Sequence, residues 1–191
     1  AALRNLAFLA FLLLGLHGCV TSEAVSWYNK GVRTDALDDK IYSYTKAIEL
    51  NPQYAFAYVN RSNVYHKTKL YAKAIADLTK AIDLLKITSD KKNLSLAYNN
   101  RGRTYHFQGK YDRAIRDYTE AVLHKPDYGL AFYNRGLAYY GKRQYDRAIR
   151  DYLEAFRLPV YCKSGYAFLY TNRGNAYSMK GRYNKAISDP N

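Results

Sequence analysis

A chain of 191 residues and 22.0 kDa, 48% of it hydrophobic, is long enough for one or two domains or one elongated array, and too apolar to be disordered. Thirty Lys and Arg against sixteen Asp and Glu leave a net charge of +14, which points to an anionic surface among its partners. Two cysteines exclude a disulfide scaffold and a four-ligand zinc knuckle, and four prolines with eleven glycines leave little room for flexible linkers.

The chain opens on a targeting pattern. Arg4 is the lone charge before Glu23, and Leu6 to Leu14 form an unbroken apolar run that ends in Gly15-Leu16-His17-Gly18-Cys19. A basic start, an apolar core of about 7–15 residues and a small-residue end make a secretory signal, well short of the roughly 20 residues a membrane span needs. Leu16-His17-Gly18-Cys19 resembles the lipobox of bacterial lipoproteins, with His17 departing from its pattern. The resemblance implies a signal peptide over 1–18, lipid on Cys19, and a short tether over 19–23. Val20 after the Cys implies the outer membrane, facing the periplasm, over the inner one.

From residue 24 onward one unit recurs. Asn60-Arg61-Ser62, Asn100-Arg101-Gly102, Asn134-Arg135-Gly136 and Asn172-Arg173-Gly174 align, followed in step by Tyr65, Tyr105, Tyr139 and Tyr177. Ala74-Ile75, Ala114-Ile115, Ala148-Ile149 and Ala186-Ile187 close each unit. The small residues are spaced by 40, 34 and 38. Within each unit the apolar spacing predicts two helices. The stretch 96–107 sets Tyr98, Gly102 and Tyr105 on one face, and 112–123 does the same with Ala114, Tyr118, Ala121 and Val122. Gly109 and Gly181 mark the turns between paired helices, and Pro52 and Pro126 end second helices.

These columns, and a 34-residue period, resemble the tetratricopeptide repeat. The resemblance implies an all-α, right-handed superhelical solenoid of antiparallel helix pairs over 24–191. Its units are a short first repeat at 24–54, then 55–88, 95–128, 129–162 and an incomplete 167–191. The six extra residues at 87–94 and the four at 160–166 read as lengthened turns between repeats. Thr34-Asp35-Ala36-Leu37 replaces the usual aromatic, which predicts fraying of the first helix.

No catalytic constellation is present: the sequence has no G-x-S-x-G, no H-E-x-x-H and no phosphate-cradling Gly-rich loop. His66 and His106 share a column but lack a third ligand, and Cys162 stands alone beside Lys163, so no metal, cofactor or enzymatic role is expected. The recurrent Asn carries the functional signal. Asn60, Asn100, Asn134 and Asn172 form one column, with Asn63 and Asn175 three residues on and Asn99 alongside. Stacked repeats would line them along the concave groove, flanked by His66, Arg103, His106, Tyr133 and Tyr140. Amides donate and accept, which suits an extended peptide backbone. Solvating the groove or bridging neighbouring helices is the plainer role for the same column. The carboxylate clamp of chaperone-binding relatives is not carried over, because its places hold Val59, Asn63, Asn100, Leu130 and Asn134 without the key cations.

Lys73, Arg113, Arg116, Arg147, Arg150 and Lys185 fall on the outer side of second helices, a basic convex stripe interrupted by Asp112 and Asp146. The expected function is a non-catalytic scaffold of the bacterial cell envelope holding a protein or extended peptide segment. The alternatives are a binder of anionic envelope polymers or lipids through the basic face, and a cytoplasmic adaptor. Nucleic acid is the disfavoured partner, since an exported chain rarely meets it. One geometric expectation completes the reading. Arg61 and Asp77, Arg101 and Asp117, Arg135 and Asp151, and Arg173 and Asp189 each stand 16 apart, as do Gly102 and Tyr118. In an antiparallel pair each Arg should therefore face its Asp, as an exposed pair at the repeat edge that fixes register.

Overall fold

The computed structural model describes residues 21–158 and 163–181. Its described helices are α1 (Ser22–Arg33), α2 (Leu37–Leu50), α3 (Ala55–Lys67), α4 (Tyr71–Thr88), α5 (Lys91–Phe107), α6 (Tyr111–His124), α7 (Gly129–Gly141), α8 (Tyr145–Arg157) and α9 (Lys163–Met179), with no strand among the described residues. Each odd-numbered helix packs on the even-numbered helix that follows, and each pair packs on the next. The result is an all-α solenoid of four helix pairs and a ninth helix.

The turn inside a repeat follows from one backbone requirement. Lys69, Gly109, Arg143 and Gly181 occupy the same place and all have φ between 60° and 75°. That left-handed residue lets the next amide reach back to the first helix: Lys110 N–H donates to the Tyr105 carbonyl at 2.9 Å, Leu70 to Tyr65 at 2.8 Å and Gln144 to Tyr139 at 2.9 Å. Glycine adopts this conformation without strain, whereas Lys69 and Arg143 do so at some cost.

Helix pairs close on a small residue. A Cβ on Gly31, Gly102 or Gly136 would stand 2.6–2.8 Å from the ring of Tyr44, Tyr118 or Tyr152, so each Tyr lies directly on the opposing backbone. The second repeat makes the complementary choice. Leu78 replaces the Tyr, and Ser62, with its hydroxyl bonded to the Val59 carbonyl at 2.6 Å, replaces the Gly.

Two irregularities resolve differently from the sequence expectation. Residues 87–94 are not a long turn: α4 runs to Thr88 and α5 starts at Lys91, so the six residues lengthen two antiparallel helices. Only Ser89, left-handed at φ 55°, and Asp90 intervene, and the Asp90 carboxylate caps α5 by accepting from Asn93 N–H at 3.1 Å. The first helix is not frayed either. Thr21 caps it by accepting from Ala24 N–H at 3.2 Å, and Thr34 N–H closes it on the Lys30 carbonyl at 3.0 Å. Of the four residues added at 160–166, those from Lys163 on are helical, and the others lie outside the described residues, as do the leader, Cys19, Cys162, Lys185 and the last repeat's second helix.

The expected Arg–Asp pairing is present in the three repeats where both partners are described. Arg61 Nε and Nη2 grip both oxygens of Asp77 at 2.8 Å, Arg101 grips Asp117 at 2.8 and 2.9 Å, and Arg135 grips Asp151 at 2.7 and 2.9 Å. The pairs are not at an exposed edge, however: the carboxylate side chains are 8–9% exposed and the guanidiniums 15–17%. A third contact lies beyond the expectation. The remaining Nη1 donates to a threonine on the preceding second helix: Arg61 to Thr45 at 2.9 Å, Arg101 to Thr79 at 3.0 Å, Arg135 to Thr119 at 3.1 Å. Each Arg thus ties its own repeat to the one before. Asp189 lies outside the described residues, so the fourth pair is not placed.

Candidate functional site

Successive first helices α3, α5, α7 and α9 touch one another along the stack and form one wall, with the second helices behind. The asparagine column stitches this wall together. Asn60 donates to the Tyr28 hydroxyl at 2.8 Å, Asn100 to Asn63 Oδ1 at 3.3 Å, Asn134 to Asn99 Oδ1 at 2.9 Å and Asn172 to the Tyr133 hydroxyl at 2.9 Å. Every such bond runs to the preceding first helix. The bridging role is therefore real, and the half-buried amides of Asn100, Asn134 and Asn172 each have one donor committed, with the Oδ1 acceptor and a second N–H left for other use, whereas Asn60 also reaches the Tyr44 hydroxyl. Asn99 is 2% exposed and accepts from Asn134, so it braces the wall from within and does not line its surface. Asn175 is exposed.

His66 Nδ1 sits 3.1 Å from Thr104 Oγ1 on the next first helix, and its ring meets Phe107 edge-on at 5.0 Å. Burial, helped by the Arg103 charge, holds His66 below its ordinary pKa. Burial alone does the same to His106, which packs edge-on against Tyr111 at 5.3 Å. Both imidazoles are therefore neutral at neutral pH. Tyr133 is pushed up by burial, partly offset by its bond to Asn172. Tyr140 meets Tyr145 edge-on at 5.5 Å across the turn. Arg103 Nε is buried with no hydrogen-bond partner among the described residues. No group of three or more His, Cys, Asp or Glu that could hold a metal occurs among the described residues.

Beyond Val59 and Leu130 at clamp places, the sequence alone does not mark the apolar members of this face. Phe56, Leu130 and Phe168 are 41%, 48% and 64% exposed, and each precedes its repeat's small residue by six. Phe107, 60% exposed, stands one turn beyond Arg103. The signal was available as a fixed register column, but without neighbours in space an apolar residue on an amphipathic helix reads as core.

On the second helices Lys73, Arg113, Arg116, Arg147 and Arg150 are exposed as expected. Three of them also pack locally: Lys73 lies over Tyr65 at 5.6 Å, Arg113 over Tyr105 at 5.6 Å and Arg147 over Tyr139 at 5.7 Å. Two shallow depressions of similar make recur here, one lined by Lys110, Arg113, Arg116 and Lys142, the other by Arg143, Arg147, Arg150 and Lys180. Asp112 and Asp146 pair with Lys142 and Lys180 at their rims.

Two tetratricopeptide-repeat family models match residues 53–122 and 99–159, together more than half of the chain and covering the clipped, stitched repeats. The chain is a tetratricopeptide-repeat solenoid. Among solved structures it is similar to MamA at TM-score 0.73 and 23% identity, covering 86% of both chains. It is also similar to YrrB, described as a TPR protein with an unusual peptide-binding site, at 0.63 and 21%, covering 79% of this chain and 73% of that one. A chain of the Cut9–Hcn1 hetero-tetramer matches at 0.72 and 19%, over 87% of this chain and 32% of that one. The human serine/threonine-protein phosphatase 5 is 47% identical over 49 residues, 26% of this chain, and that match spans only 10% of the phosphatase. These likenesses concern the repeat fold. No described helix is long and apolar enough to cross a membrane.

Proposed function

We propose that this solenoid is a non-catalytic scaffold that holds a protein or extended peptide segment against its first helices. The observation that carries the reading is the composition of that wall. Exposed Phe56, Leu130 and Phe168 alternate with amides whose acceptors remain available, and apolar anchors beside backbone-matching groups suit a peptide. The peptide-binding description of YrrB and the assembly formed by Cut9 support the same class of partner. We place the scaffold in the bacterial cell envelope, tethered through Cys19, on the strength of the leader pattern.

Crosslinking in intact envelopes, followed by pull-down, tests the groove: partners captured by the wild type should be lost with Phe56→Ser plus Leu130→Ser. Retention of the same partners would reject the groove. Fatty-acid labelling that Cys19→Ser abolishes tests the anchor; an unlabelled, released wild type would reject it. A second reading is favoured by the two recurrent basic depressions, which suit an anionic polymer. Replacing Arg116 and Arg150 with Glu should then abolish polymer retention and leave peptide capture intact.

A further inference from the structure

The described carboxylates of this chain avoid one set of helices. None of the sixteen Asp and Glu falls within α3, α5, α7 or α9; they lie in α1, in the turns, on second helices, or at Asp189. Among the described residues these four helices therefore carry no acidic side chain of their own, the nearest in sequence being Asp90 and Asp127 before their N-termini. Its repeated cations Arg61, Arg101 and Arg135 are matched from behind by Asp77, Asp117 and Asp151.

Arg103 is placed differently. Two residues beyond Arg101 turns it about 200° around the helix, away from the second helices and onto the groove side. It has no ion pair among the described residues, and its Nε is buried without a hydrogen-bond partner. Its charge is felt by His66 on the preceding first helix and by the Tyr118 hydroxyl beneath. Both neighbours are neutral at neutral pH, and no described carboxylate is paired with the guanidinium. Phe107 stands one turn along on the same face, and Phe56 and Leu130 sit one first helix before and one after.

The geometry points to a narrower ligand than peptide in general: an extended segment whose single acidic side chain pairs with Arg103 while large apolar side chains on either side meet Phe56 and Leu130. This deepens the groove reading and rests on it. The Arg103 Nε is closed to a ligand, but its two Nη groups are not closed off from solvent, and a planar carboxylate can take both at once. Spacing follows from dimensions. Adjacent helix axes lie about 8–10 Å apart, and Arg103 stands seven residues, about 10 Å, further along its helix than Phe56 and Leu130 do on theirs, so at about 3.3 Å per extended residue the apolar residues should fall about four positions from the acid.

The test immobilises the full chain and challenges it with a displayed library of random twelve-residue peptides. Enrichment of Asp or Glu with Leu, Ile or Phe about four positions away on each side is expected. A synthetic copy of an enriched peptide should lose about tenfold in affinity when its acid becomes the amide, and about the same when it meets Arg103→Gln. The amide peptide should bind wild type and Arg103→Gln alike, and Arg103→Lys should fall between for the acidic peptide. Equal binding of acid and amide, or equal weakening of both by Arg103→Gln, overturns the acidic preference and leaves the groove standing. Peptides that are not enriched at all, or whose binding ignores Phe56→Ser and Leu130→Ser, overturn the groove reading as well.

Discussion

Replacing Asp117 with Ala strips both carboxylate bonds from Arg101 while leaving its bond to Thr79 at 3.0 Å. Burial pushes the Asp117 carboxyl above its ordinary range, with Arg101 offsetting only part, so this pair is held in place against a desolvation penalty. Breaking one side of a fully buried pair costs about 3–5 kcal/mol, because the partner charge is stranded. Arg101 keeps 17% of its side chain exposed and Asp117 8%, so the cost falls to the bottom of that range or just below it, about 2–3 kcal/mol. With a urea slope near ~2 kcal/mol per molar, the unfolding midpoint followed by helical circular dichroism should fall by about 1 M. The double replacement Arg101→Met with Asp117→Leu should return to within about 1 kcal/mol of wild type, since an apolar pair escapes the desolvation penalty. Thr79→Val, which removes a single bond, should cost no more than about 1 kcal/mol. Should Asp117→Ala cost under about 0.5 kcal/mol, or the double variant cost as much as the single, the Arg101–Asp117 clip does not act as a buried ion pair.

Further outcomes follow from the same geometry. Gly136→Ala would drive a methyl to 2.6 Å from Tyr152 and should destabilise by about 1–3 kcal/mol in urea unfolding, whereas Arg143→Gly, which relieves a left-handed residue, should stabilise by about 0.5–1 kcal/mol. His66 and His106 are both held below their ordinary pKa by burial, so the unfolded chain takes up protons first. Their contribution to stability is complete above about pH 6.5 and is lost as pH falls below it, and His66→Asn with His106→Phe should flatten the decline seen between about pH 7 and 5. Asn134→Ala leaves the buried Asn99 oxygen unpaired and should cost about 1–3 kcal/mol, against no measurable loss for Asn175→Ala.

The repeat was legible because packing demands recur at fixed intervals. A Gly under a Tyr and an Arg opposite an Asp are pairwise constraints, and a spacing of 16 across an antiparallel turn exposes them. The stitching of neighbouring first helices was open in the sequence as one of two roles for Asn, because an amide on a helix face serves a neighbour or a ligand equally well. The insertion at 87–94 misled for a different reason. Its Lys, Asp and Ser composition is that of a loop, yet adding four residues to each of two antiparallel helices, with the turn between them two residues shorter, keeps the downstream Arg–Thr contact in register. The Arg101–Thr79 bond survives with six extra residues between them. Exposed Phe56 and Phe168 went unread, and Leu130 counted only as a clamp place without its cation, because single-helix periodicity cannot tell an inward stripe from a groove stripe.

The clip and the ladder together decide which substitutions can report on function. Arg61, Arg101 and Arg135 hold second helices, and Asn134 with Asn99 holds first helices, so altering them loosens the stack whatever the groove binds. In a solenoid each repeat is stabilised only by its neighbours, so such a change would spread to the curvature of the whole wall. A loss of affinity in those variants is therefore ambiguous between contact and shape. Arg103, Phe56 and Leu130 escape the ambiguity, because Arg103 has no ion pair among the described residues and the two apolar side chains are at least two-fifths exposed. If peptide binding falls when these three are altered at unchanged unfolding midpoint, the wall is the working surface. If binding follows stability across both groups, the first helices serve the fold and the partner lies elsewhere.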